Sequence, residues 1–321
     1  MEMKIAFSKN AEAVAAMVAE GFCPIECSFG NKSIIDDLKM DHHGEYSDLE
    51  SVAVRAYRDH FGARAKDGWF VVNHIDADCI FAIAALAGLL PHPNSEYAET
   101  LPAFKQSIWR QDLLPLAETI AVIDTDPIGR DILSMPFGDV LITWNSLFGT
   151  GADEALAASA AVQGWRILLT APTAKTFLAA ATEAESARRN AALADLQERG
   201  KCDGKVMVLK QSRVFGFAEW YDRKPENGLA TEIAGWANPI VIALTEQGNI
   251  TFGTPNKEVA EQLFGAGGLM RVFAKLNDLF RIPAGQGFGG RETVGGSPRG
   301  RVMTEEELVI IVNVVNDSII A

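Results

Sequence analysis

The chain has few of the residues that mark disulfide-stabilised, membrane-spanning or nucleic-acid-wrapping proteins. Only four of its 321 residues are cysteines, and their spacing matches no zinc-finger pattern, so we interpret them as ordinary thiols. No apolar run reaches the roughly 20 residues that a membrane-spanning helix requires. Basic residues number 29 against 42 acidic ones, and the formal net charge is −13. Because such a charge repels a long polyanion, we expect neither long duplex nucleic acid nor a membrane as a partner.

What is present is the composition of a globular protein, with 48% hydrophobic and 22% charged residues. Single hydrophobic cores stop growing near about 250–300 residues, so a chain of this length is expected to form two domains. Residues 1–7 are typical of a first strand rather than of a targeting peptide, which favours a cytoplasmic location.

Apolar segments of two lengths alternate along the first half of the chain. Short runs predict buried strands at 4–7, 69–73, 119–123 and 140–144, and longer ones predict helices at 11–20, 49–60, 80–90 and 155–165. This alternation is typical of an α/β fold with a mostly parallel sheet covered by helices.

The second half begins with a long helix, predicted over 173–199 by alanines at helical spacing among charged residues. Strands are then predicted at 206–209 and 240–244, a hairpin leads into 250–252, and one or two helices fall within 259–280. A glycine-rich run at 285–300 precedes a final helix at 305–320. We therefore predict domains at 1–172 and 205–321, joined by a connecting helix and linker at 173–204.

Three of the five histidines lie in two short runs that also contain carboxylates. Asp41, His42 and His43 are consecutive, whereas His74 alternates with Asp76 and Asp78 just after a predicted strand. Alternate residues of a strand point to the same side, so the second run is expected to converge near the strand end. Imidazole and carboxylate together suit Mn²⁺ or Mg²⁺, and less well Zn²⁺. The sequence therefore predicts a site for one or two cations.

The Asp-His-His-Gly run followed by His-x-Asp-x-Asp resembles the DHH phosphoesterase superfamily. That superfamily includes RecJ-type exonucleases, nanoRNases, cyclic-dinucleotide phosphodiesterases and manganese pyrophosphatases. Its two motifs normally occur in the opposite order, so this chain resembles a circularly permuted member. The resemblance implies a DHH-like catalytic domain at 1–172, a DHH-associated C-terminal domain at 205–321, and two Mn²⁺ or Mg²⁺ ions that activate a water.

The resemblance also implies a role for each motif residue. His74 and Asp76 would bind one ion, while His42 and Asp78 would bind the other. His43 would contact the phosphoryl group or protonate its leaving oxygen, and Asp41 would orient the two histidines.

Two further sets of residues follow from the same resemblance. Asp124 matches either the family's bridging aspartate or its later aspartate-threonine motif; we favour the bridging role, and Asp126 is a poorer candidate for a ligand or for a group that holds one. The family's glycine-rich loop carries a histidine where this chain has Arg291. Backbone groups of such a loop approach phosphates closely, and arginines add bidentate contacts. We expect these residues to bind substrate: Gly289, Gly290, Arg291 and Arg299.

The expected function is metal-dependent hydrolysis of a phosphodiester or phosphoanhydride bond. The expected partner is a small phosphorylated substrate such as a nucleotide, a short oligonucleotide or a polyphosphate, and a homodimer is left open. A catalytically degenerate DHH-like protein that binds or senses a nucleotide is the alternative. A Rossmann-type oxidoreductase ranks last, since no Gly-x-Gly-x-x-Gly follows an early strand.

Overall fold

The computed structural model describes residues 3–29, 32–66, 68–93, 112–125, 130–148, 154–170, 174–221, 236–283, 287–298 and 301–320. The fold is α/β, as the sequence predicts. The chain divides into two compact units: Met1–Thr125 with Ile132–Glu183, and Asp126–Asp131 with Ala184–Ala321.

The first unit contains a three-stranded parallel sheet. Strand β1 (Lys4–Phe7) and strand β2 (Cys23–Pro24) flank the central strand β5 (Trp69–Val72). Both pairings are parallel, which confirms the predicted parallel sheet. Strands β3 (Ser28–Phe29) and β4 (Lys32–Ser33) form a separate antiparallel ribbon. The last three residues of β5 are fully buried, as expected for a central strand.

Among the described residues this unit also has the helices α1 (Ala11–Ala19), α2 (Val52–Asp59), α3 (Ala77–Leu86), α4 (Leu114–Thr125), α5 (Gly138–Phe148) and α6 (Glu154–Thr170). Helix α3 is buried on every side from its second residue onward. It packs against α2, α4 and α6. Trp144 of α5 and Trp165 of α6 stack with ring centroids 4.8 Å apart. The core therefore lies mainly among the helices, with the small sheet at one side.

Two predicted strands, at 119–123 and 140–144, are wrong, because both segments are helical. Runs of about five apolar residues carry no period that separates a strand from a buried helix. Here the runs continue into helices α4 and α5, which pack against each other and against other helices. As a consequence, Asp124 lies in the last turn of a helix rather than at a strand end.

The long helix α7 spans Ala174–Arg199 and agrees with the predicted helix. The division between the two units falls within it, after Glu183. The domain limits drawn from the sequence stay a prediction.

A six-stranded sheet forms the second unit: β6 (Gly200–Asp203), β7 (Val206–Ser212), β8 (Val241–Thr245), β9 (Ile250–Gly253), β10 (Gly289–Gly290) and β11 (Val294–Gly296). The strand order is β10-β11-β9-β8-β7-β6, and only the β7–β8 pair among these strands is parallel. Helices α8 (Phe217–Tyr221), α9 (Lys257–Phe264), α10 (Leu269–Phe280) and α11 (Glu305–Asn316) accompany it. Helix α11 begins with a capping box between Thr304 and Glu307.

Candidate metal centre

Four parts of the first unit contribute side chains to one cluster of imidazoles and carboxylates. The segment after β2 supplies Glu26, and the loop before α2 supplies Asp41, His42 and His43. The β5–α3 junction supplies His74, Asp76 and Asp78, and the end of α4 supplies Asp124. The structure thus brings together the two histidine motifs that the sequence analysis singled out.

The side chains after β5 do not converge as alternate residues of a strand, so that part of the prediction is wrong. Strand β5 ends at Val72, and Asp76 is the N-cap of helix α3. Its Oδ1 atom accepts a hydrogen bond of 2.9 Å from the Cys79 backbone N–H. Such a cap satisfies one of the free donors of the first helical turn. The sequence analysis named the correct residues, but the N-terminus of helix α3, and not a strand, determines their positions.

Asp78 lies in the first turn of α3 and is held by the N-terminus of α2. Its Oδ1 atom accepts hydrogen bonds from Ser51 Oγ at 2.5 Å and from the Ala53 N–H at 3.0 Å. Its Oδ2 atom accepts one from the Val52 N–H at 3.3 Å. Donors at a helix N-terminus stabilise the charged carboxylate. Oδ2 also lies 3.2 Å from His42 Nε2.

The Asp-His-His segment is fixed by its own first residue and by an arginine of α2. Asp41 Oδ1 accepts a 2.9 Å hydrogen bond from the His43 N–H and lies 3.1 Å from His43 Nδ1. Arg55 donates to the carbonyls of Lys39 and Asp41, at 2.9 and 2.8 Å. The His43 side chain remains 32% exposed, whereas that of His42 is only 2% exposed. The two adjacent histidines therefore face different surroundings.

His42 occupies the middle of the cluster. Its Nε2 atom lies 2.8 Å from Glu26 Oε1 and 3.2 Å from Asp124 Oδ2, in addition to the Asp78 contact. On the other side, His74 Nε2 lies 2.9 Å from Asp76 Oδ2 and 3.5 Å from Glu26 Oε2. Glu26 thus contacts both histidine groups.

Glu26 is the one member of the cluster that the sequence analysis missed as a site residue. It is fully buried, and its backbone adopts a left-handed conformation with φ at +51°. Such a conformation is unfavourable for a residue with a side chain and often marks a functional position. The signal available in the sequence was a lone glutamate in the run from Phe22 to Cys27, whose other residues are buried in the structure.

Burial and the close approach of like charges shift the protonation of the cluster. Burial raises the pKa of Glu26, and the charges of Asp76 and Asp78 raise it further. Burial alone lowers the pKa of His42, but the nearby carboxylates of Asp124, Asp78 and Glu26 raise it above its ordinary value. A divalent ion would therefore compete with protons for Glu26 and His42.

The donor set fits divalent cations. Three groups have ligand atoms within 4.8 Å of one another: Glu26, His42 and His43; Glu26, His74 and Asp76; and His42, Asp78 and Asp124. Donors that share an octahedral ion at about 2.1 Å lie about 3 Å apart. The contacts of the His42 and His74 rings with the carboxylates fall between 2.8 and 3.5 Å. Both Glu26 oxygens and His42 Nε2 are buried without a well-aligned hydrogen bond to any described residue.

The remaining predicted site residues lie elsewhere or outside the described part of the chain. Asp126 and Arg299 fall among residues that the structure does not describe. Gly289 and Gly290 form the edge strand β10 of the second unit, and both are exposed. Gly290 has φ at +150°, and a Cβ atom there would lie 2.2 Å from the Val294 carbonyl oxygen. The Arg291 N–H donates to that same carbonyl, which closes the turn between β10 and β11.

Across the described residues, the helices are too short or too polar to span a membrane. No family model matches the chain, and no curated protein matches it. Among solved structures, the pGpG-specific phosphodiesterase PggH from Vibrio cholerae matches over 69% of this chain and 69% of its own, with 14% identity and a TM-score of 0.33. A similarity this low carries no conclusion about fold or function, so the DHH resemblance rests on the motifs alone.

Proposed function

We propose that the chain is a metal-dependent phosphoesterase that hydrolyses a phosphodiester or phosphoanhydride bond. The substrate would be a small nucleotide, a short oligonucleotide or a polyphosphate. One observation carries this proposal: residues 26 to 124 of the first unit place imidazoles and carboxylates in three adjoining donor groups. Bound Mn²⁺ or Mg²⁺ would lower the pKa of a water and neutralise the charge of a phosphoryl group.

The two adjacent histidines have different roles in this proposal. His42 is buried among three carboxylates, which suits a ligand. The Nδ1 atom of the part-exposed His43 faces Asp41, so its Nε2 atom is the one that would face the phosphoryl group. In the neutral ring an Nδ1–H bond to Asp41 leaves Nε2 as an acceptor, so only the doubly protonated imidazolium would give the Nε2 proton to the leaving oxygen, and the ring would then return to the neutral form.

The acidic balance of the chain supports small substrates over long nucleic acid. The glycine-rich turn at β10 and β11 would contribute backbone N–H groups and Arg291 to phosphate binding. The replacement of the family's loop histidine by Arg291 favours the second candidate, a protein that binds a nucleotide without cleaving it.

Turnover of a substrate panel tests the proposal. Purified protein with Mn²⁺ should hydrolyse at least one of a dinucleotide, a cyclic dinucleotide, adenosine phosphosulfate or pyrophosphate. Asp76→Ala and His42→Ala should each lower kcat by at least roughly a hundredfold, since they remove proposed ligands. Glu12→Ala, an exposed change on α1, should leave turnover unchanged.

Two results of the same experiment would speak against hydrolysis. A metal-loaded protein that cleaves no member of the panel would contradict hydrolysis. If the same protein retained a nucleotide in equilibrium dialysis, the binding alternative would replace the enzyme.

A further inference from the structure

Glu26 differs from the other carboxylates of the cluster because its two oxygens face different histidines. Oε1 lies 2.8 Å from His42 Nε2 and 3.6 Å from His43 Nδ1. Oε2 lies 3.5 Å from His74 Nε2, on the side of Asp76. Asp76 belongs to one donor group and Asp124 to another, whereas Glu26 belongs to two.

The surroundings of Glu26 leave both oxygens available for a cation. The residue is fully buried, and neither oxygen accepts a well-aligned hydrogen bond from a described residue. A buried carboxylate is costly unless a cation or a hydrogen-bond network compensates its charge. In addition, its left-handed backbone is held in place, because the Glu26 N–H donates to the Met40 carbonyl at 2.7 Å. That bond joins the segment after β2 to the residue before Asp41.

We propose that Glu26 bridges two divalent cations, with Oε1 bound to one ion and Oε2 to the other. Oε1 would share its ion with His42, and Oε2 would share its ion with His74 and Asp76. Asp124, which the sequence favoured as the bridging ligand, would bind only the ion at His42 and Asp78. This inference rests on the proposed function, since it assigns a ligand within the same metal centre.

The negative charge and the length of the glutamate side chain explain why a glutamate suits this position. Two divalent ions at close separation repel each other, and a shared anion lowers that repulsion. A carboxylate that places one oxygen on each ion also fixes their spacing. The extra methylene of glutamate lets the side chain extend from the end of β2 to both histidine groups.

Metal binding, measured without any substrate, tests the bridge. Calorimetric titration with Mn²⁺ should give two ions per chain for the unaltered protein, and electron paramagnetic resonance should show exchange coupling between them. Glu26→Gln keeps the shape of the side chain but removes its charge. It should lower the affinity for both ions by roughly tenfold or more and abolish the coupling between them. Glu26→Asp keeps the charge but is one methylene shorter, so it should lose the coupling as well.

Two single-site variants separate a bridge from a general loss of charge. Asp124→Asn should lower the affinity for one ion, and Asp76→Asn should lower the affinity for the other, because each residue belongs to only one donor group. Glu12→Gln, the matched exposed change, should bind two coupled ions as before. Circular dichroism of Glu26→Gln should match that of the parent protein, which excludes unfolding as the cause.

Each outcome has a separate meaning for the two proposals. Two coupled ions with unchanged affinity in Glu26→Gln would overturn the bridge, as would a parent protein that binds fewer than two ions. Hydrolysis by a protein with one ion would keep the proposed function and reject the bridge. Two coupled ions that depend on Glu26, without turnover of any substrate, would keep the bridge and reject hydrolysis.

Discussion

Each of the two units buries a carboxylate completely, but the partners of the two carboxylates differ. In the second unit, Asp195 is fully buried and accepts hydrogen bonds from the Arg213 N–H at 2.9 Å and from Arg213 Nε at 2.6 Å. In the first unit, Glu26 is equally buried, but its neighbours are imidazoles: Oε1 lies 2.8 Å from His42 Nε2 and Oε2 lies 3.5 Å from His74 Nε2, and neither oxygen has a well-aligned hydrogen bond to a described residue.

This difference separates a structural acid from a candidate ligand. Burial of an unpaired charge is costly, and burial of a charge with a good partner is tolerated. The chain supplies a cation to Asp195, while Glu26 lies among further acids and histidines. Glu26 therefore needs either a proton or an external cation, and the second unit has no such need at Asp195.

The largest expected effect is selective stabilisation of the first unit by metal. At a Mn²⁺ concentration of about 100 times its dissociation constant, binding should add about 2.7 kcal/mol to the free energy of unfolding. Hydrogen exchange followed by mass spectrometry should show slower exchange in peptides around β2, β5 and α3. Peptides from β7 and β8 serve as the internal control. Equal slowing in both units, or in neither, would contradict a metal site confined to the first.

Neutralising the two buried acids should have opposite effects in the metal-free protein. Asp195→Asn places an amide group against two donors of Arg213, so it should destabilise the second unit by about 1–3 kcal/mol. Glu26→Gln removes a carboxylate whose charge is disfavoured by burial and by the nearby charges of Asp76 and Asp78, so it should leave the stability of the first unit unchanged or raise it. Urea denaturation in a chelator, with probes in each unit, measures both. A loss of stability in both variants would remove the distinction drawn between the two acids.

A smaller effect is expected from Arg55, whose guanidinium donates to backbone carbonyls. Because it donates to the carbonyls of Lys39 and Asp41, it holds the backbone of the Asp-His-His segment. Arg55→Gln should weaken Mn²⁺ binding by roughly tenfold, comparable to other losses of ligand support.

The matched control for that variant is Arg58→Gln on the same helix. Arg58 is 43% exposed and contacts only surface acids, Glu50 and Asp59, in the described structure. Surface ion pairs contribute little, so this change should not alter Mn²⁺ affinity. Equal effects of the two substitutions would point to a general weakening of α2 instead of a positioning role.

Much of the fold was predictable because the relevant signals are local. The strands β1 and β5, the long helix α7 and the capped helix α11 each follow from periodicity or end signals in the sequence. The predictions of strands at 119–123 and 140–144 were wrong because a short apolar run fits either a strand or a buried helix. Packing against other helices decided between them.

The sequence by itself determined which chemistry is available: five histidines, three of them in the two carboxylate-containing runs 41–43 and 74–78, in a chain of strongly acidic balance. It also placed the two motifs within the first unit. Only the tertiary structure decided that Asp78 is held by the N-terminus of α2 and that Asp124 reaches His42 from the end of α4. It alone placed Glu26 between the histidine groups. The physical reason is that each of these contacts depends on where chain segments distant in sequence pack, and no local pattern of residues encodes that packing.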